Sequence, residues 1–83
     1  MFSAERIKDL LEKQLADCEA VVIDDVGDGE HFSARVASTE FVGKSLVQQH
    51  QLVYKALAEH MHRDIHALAL KTYTPDRWSG QEG

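Results

Sequence analysis

The sequence predicts an α+β domain: a three-stranded mixed sheet with helices on one face, in the order α-β-β-α-β-α. Three observations carry this. Apolar residues repeat at helical spacing in two separate segments, 7–15 and 46–61. Between them, a β-branched run and an alternating run flank a Gly-Asp-Gly turn. A third alternating run follows the second after about 26 residues, a length that suits a helical crossover and makes those two strands parallel neighbours.

The first helix opens at Ser3 as N-cap, with Phe2 and Ile7 placed as a hydrophobic staple and Glu5 near the positive end of the dipole. Ile7, Leu10, Leu11 and Leu15 form its apolar stripe, and Asp17-Cys18-Glu19 ends it. Ala20 to Asp25 is β-branched and reads as a strand. Gly27-Asp28-Gly29 is turn chemistry. His31 to Ser38 alternates, with Phe32, Ala34 and Val36 on one face, and completes a hairpin. Thr39 to Lys44 is a connection broken by Gly43. From Ser45 a helix runs to about His60, its stripe made of Leu46, Val47, His50, Val53, Tyr54, Leu57, Ala58 and Met61. Ile65 to Tyr73 returns to period two. Thr74-Pro75 then starts a short helix carrying Trp78, and 79–83 reads as a frayed tail.

At 83 residues the chain is one small domain, 1–83, and its composition is that of a soluble globule. No apolar run approaches the ~18 residues of a membrane span, and the acidic start lacks the pattern of a signal peptide, so the expected location is cytoplasmic. A single cysteine, Cys18, excludes an internal disulfide and fits a reducing compartment. The net charge of −5 is uneven: the acids crowd into residues 1–30, whereas 31–83 is near neutral and holds all five histidines. A domain-wide basic footprint for nucleic acid is absent.

The topology singles out two histidines. The parallel strands begin at His31 and at Ile65-His66, so two residues far apart in sequence reach one sheet edge, on strands ~4.8 Å apart. Their imidazoles can address one ligand there. Parity opposes this: His66 shares the parity of Leu68 and Leu70, whereas His31 is opposite in parity to Phe32. Both rings point outward only if the strands start irregularly.

Three segments, GDGEHF (Gly27–Phe32), FVGKSLVQQHQLVYKAL (Phe41–Leu57) and IHALALKTYTPDRW (Ile65–Trp78), resemble the BolA family, its IbaG-type branch in particular. The resemblance covers about Ile7 to Trp78. Its most specific part is Ile65-His66-Ala67, Lys71-Thr72 and Thr74-Pro75 with Trp78, in one order at the expected spacing. The resemblance implies a class II KH-like fold, α-β-β-α-(α)-β-α, with a short extra helical turn near Lys44. It also implies a non-catalytic adaptor in cluster trafficking or iron regulation, paired with a monothiol glutaredoxin of the Cys-Gly-Phe-Ser type. The pair would hold a [2Fe–2S] cluster through glutaredoxin cysteine, glutathione and histidine from this chain, which carries no cofactor when free. The family's C-terminal ligand falls on His66 and its hairpin-loop ligand on His31. Because a ligating imidazole is neutral, cluster retention should weaken as pH falls through ~6.5. One departure is visible: Gln49-His50 stands where the family often has Arg-His.

The runner-up function is a KH-like, DNA-binding transcriptional regulator contacting nucleic acid through Arg35, Lys44, Lys55, Arg63 and Lys71. Gly43-Lys44 is too short for the Gly-rich clamp of ordinary KH domains.

Other candidates have plainer readings. His60, His62 and His66 spell H-x-H-x3-H, but without cysteine, and with only Glu59 and Asp64 as oxygen donors, they read as solvated histidines rather than a zinc site. His50 reads as a packed histidine at the core edge. Asp17 and Glu19 disfavour a Cys18 thiolate. Asp24, Asp25, Asp28 and Glu30 would repel phosphate from the Gly-Asp-Gly turn. Ser33, Ser38 and Ser45 lie in no nucleophile motif, and Asp24 and Asp25 alternate across a strand, so no enzyme is expected.

Overall fold

A computed structural model of the chain describes residues 2–61 and 63–78. Helix α1 spans Ala4–Gln14 and strand β1 Glu19–Asp24. Strand β2 spans His31–Ala37, helix α2 Leu46–Leu57, strand β3 Ala67–Tyr73 and helix α3 Pro75–Trp78. The sheet order is β1-β2-β3, with β1 antiparallel and β3 parallel to β2. This is the expected α+β arrangement. The tail 79–83 lies outside the described residues.

Local chemistry starts α1 as expected, and a side-chain cap starts α2 as well. Ser3 Oγ accepts the Arg6 amide at 3.1 Å, and Phe2 and Ile7 lie in one buried cluster. Ser45 and Gln48 form a reciprocal capping box at 3.2 and 2.9 Å. Phe32, Ala34 and Val36 of β2 face inward and pack with Ile7 and Leu11 of α1 and Val53 and Leu57 of α2. α3 lays Trp78 beside Tyr73, their rings 5.5 Å apart, and at a groove shared with Glu19 and Ala37.

Tertiary contacts moved several boundaries. α1 stops at Gln14 rather than at Asp17-Cys18-Glu19, and Asp17 takes a positive φ of 45°. The buried Ser38 hydroxyl donates to the Ala16 carbonyl at 2.6 Å, and the Ala16 amide donates to Glu40, so the next turn is held by the β2–α2 connection instead. The extra helical turn lies at Thr39–Phe41, slightly before Lys44. α2 ends at Leu57, not His60: Ala58 breaks it with φ 48°, ψ −127°, and Ala58–His60 continues as a 3₁₀ turn. Its buried side is also rotated from the stripe expected. Leu46 and Val47 are 61 % and 66 % exposed, and Tyr54 is exposed as well. Half-buried Gln49 occupies the inner side, donating to the Phe41 and Lys44 carbonyls and accepting from Thr72 Oγ1 at 2.6 Å. The residue that departs from the family pattern therefore ties α2 to β3.

Candidate metal centre

The β1–β2 loop is built from two nested carboxylate turns. Asp24 accepts the amides of Gly27 and Gly29 at 3.1 and 2.9 Å, and both glycines take positive φ, which glycine adopts without a Cβ clash. Within that frame Asp28 Oδ1 accepts the amides of Glu30 and His31 at 2.9 and 3.1 Å. Its other oxygen, Oδ2, lies 2.8 Å from His31 Nδ1. The two backbone amides and the ring hold the Asp28 carboxyl down at about 2, the Glu30 amide being the largest cause. The same carboxylate raises the His31 imidazole above its ordinary value. The ring stays open to solvent, with its side chain 47 % exposed.

His66 escapes the parity that would have buried it, because β3 begins one residue later than this histidine. The amides of His66 and Ala67 both donate to the Glu30 carbonyl, at 3.1 and 3.0 Å. Two consecutive donors on one acceptor break the alternation, so His66 and Ala67 are both exposed while Ile65 is fully buried. In register, His31 pairs with Ala67. The His31 and His66 rings consequently meet edge to face, with centroids 5.4 Å apart and planes at 65°. The two sequence-predicted residues are brought together, both facing solvent.

Asp28 is the residue that sequence reasoning undervalued. Asp28, Glu30 and His31 place one donor atom each within 4.8 Å of one another. Both Asp28 oxygens are already engaged, so in this group Asp28 orients the ring more readily than it could ligate. The readable signal was the three-residue spacing of an aspartate before a histidine at the end of a Gly-Asp-Gly turn.

The remaining candidates lie elsewhere. His60 Nδ1 pairs with Asp64 at 2.7 Å and its ring sits 4.8 Å from Phe2. His62 and the side chain of Glu59 fall outside the described residues. His50 is half-buried and meets Tyr54 edge to face at 6.4 Å; its Nε2 has no partner among the described residues. Cys18 leads into β1 at the end opposite the β1–β2 loop, and its thiol is pushed up to about 12, first by burial and next by Glu12. Burial, more than its acidic chain neighbours, keeps it protonated. Arg35 and Lys71 are register partners on the outer face of the sheet. Lys44 and Lys55 line a groove on α2 instead, and Arg63 lies in the turn before β3. The five basic residues do not form one surface.

This fold and sheet-edge pair define a small α+β domain with a parallel crossover and a histidine-bearing hairpin loop. The model of the family described as BolA-like protein matches residues 11–77, and the chain belongs to that family. The DNA-binding transcriptional regulator BolA of Escherichia coli is 32 % identical over 87 residues, covering 96 % of this chain and 83 % of its own. A BolA homologue from Coxiella burnetii superposes with a TM-score of 0.82 at 42 % identity, covering 95 % of this chain and 99 % of that one. The BolA domain of SufE1 from Arabidopsis thaliana gives 0.76 at 36 % identity, with 89 % and 93 % covered.

Proposed function

We propose that this protein is a non-catalytic adaptor that co-ligates a [2Fe–2S] cluster with a monothiol glutaredoxin of the Cys-Gly-Phe-Ser type, His31 and His66 being its ligands. The observation that carries the reading is the pair of exposed imidazoles at 5.4 Å, assembled from residues far apart in sequence. Imidazole nitrogen can replace thiolate on cluster iron and raises the reduction potential. Two imidazoles do not complete a cluster's coordination, and Cys18 lies at the far end of β1 with a protonated thiol. Among the described residues no cysteine lies beside the pair, so the remaining ligands are assigned to a second molecule, and a shared cluster suits this site better than a resident one. Glutathione enters through that partner, and the free chain carries no cofactor.

The test is anaerobic reconstitution with a monothiol glutaredoxin and glutathione, followed by visible circular dichroism and native mass measurement. His66→Ala and His31→Ala should each abolish the spectrum of the mixed complex and leave the far-ultraviolet spectrum unchanged. A visible spectrum that survives both substitutions overturns the assignment.

A second reading, DNA binding, is favoured by the name of the Escherichia coli relative and by the Arg35–Lys71 pair on the outer sheet face. It has less geometric support, because the other basic residues lie elsewhere.

A further inference from the structure

We infer that Asp28 is a positioning residue: it holds the neutral His31 ring in the tautomer protonated on Nδ1, which leaves the Nε2 lone pair free for a metal. Hydrogen-bond sense assigns the ring proton. An ionised carboxylate only accepts, so Asp28 Oδ2 at 2.8 Å from Nδ1 requires the ring proton to sit there. Asp28 cannot turn away, because its Oδ1 is occupied by the Glu30 and His31 amides at 2.9 and 3.1 Å. The loop thus has the carboxylate–histidine arrangement that fixes ring orientation and raises ligand basicity at metal centres. Among the described residues, no side chain hydrogen-bonds the His66 ring, so only one of the two imidazoles is oriented in advance.

Asp28→Asn tests this with little change of shape. The two backbone amides require an acceptor, so the asparagine carbonyl must face them and its NH2 must face His31 Nδ1. A donor at that position demands an unprotonated Nδ1 and moves the proton to Nε2. Long-range proton–nitrogen NMR of the free protein, at about pH 9 where the ring is neutral, should show the Nδ1–H tautomer for His31 and its reversal in Asp28→Asn. In the reconstituted complex the variant should retain the cluster roughly 10- to 100-fold less well. A wild-type His31 protonated on Nε2, or a tautomer unchanged by Asp28→Asn, overturns the inference.

This inference rests on His31 being a ligand, yet the two can fail separately. Loss of the cluster in His31→Ala with no tautomer control by Asp28 sinks only the positioning role. A cluster spectrum indifferent to His31→Ala sinks the ligation, whatever the tautomer.

Discussion

At the scale of single residues, the site depends on which atoms of two imidazoles are spoken for. His31 is linked to Asp28, and that link has a pH window whose sign follows from the two shifts. His31 is raised, so its contribution is full below the ordinary ~6.5 and is lost as pH rises through its folded value. Asp28 is lowered to about 2, so its contribution is full above the ordinary ~3.9 and is lost as pH falls from there through its folded value. The pair is therefore complete between about pH 4 and about pH 6.5. NMR titration should place the His31 midpoint above ~6.5, and Asp28→Asn should lower it; a wild-type midpoint at or below that value contradicts the pairing. Protons compete with iron for the same ring, so cluster retention should begin to weaken at a higher pH than an unperturbed histidine implies.

At the scale of elements, the least legible feature was the end of α2. Leu57, Ala58 and Met61 continue a helical period, and nothing in the residue types announces a break. The break comes from Ala58 at φ 48°, ψ −127°, after which the His60 carbonyl collects the amides of Arg63, Asp64 and Ile65 at 3.3, 3.0 and 2.9 Å. This turn carries the chain to Ile65, which fills the core and leaves His66 outside. An alanine in that backbone region is strained by ~1–3 kcal/mol, a cost glycine largely avoids. Ala58→Gly should accordingly raise stability by about 1 kcal/mol in urea denaturation. Ala56→Gly, at the last-but-one residue of α2, should lower it by about 1 kcal/mol. Destabilisation by both would show that Ala58 is not strained. The hairpin was far more legible, because Gly27, Gly29 and the alternation of β2 state their conformations in residue type.

At the scale of the whole molecule, the fold divides the basic residues of the second part of the chain between two faces. α1 and α2 pack on one face of the sheet, so Lys44 and Lys55 lie on the helical side while Arg35 and Lys71 lie on the other. If duplex DNA binds the sheet face, the double variant Arg35→Gln, Lys71→Gln should reduce the slope of log affinity against log salt by roughly 2. Lys44→Gln with Lys55→Gln should leave that slope unchanged. Mobility shifts at two salt concentrations would show it, and absence of any shift at low salt removes this reading.

Sequence alone determined the order of elements, the parallel crossover and the two histidines worth watching. Those rest on periodicity, turn chemistry and connection length, all of which are local. It also supplied the parity argument against His66, which was sound for a regular strand. Only the tertiary structure decided that the strand would not be regular there. The Glu30 carbonyl, delivered by the hairpin loop, takes two successive amides from the other end of the chain, and that bifurcation turns His66 toward His31. The orientation of Asp28 was likewise undecided by residue type, since a turn aspartate can cap many amides. Which oxygen faces the ring depends on how the loop closes against β2, and that is a property of the fold.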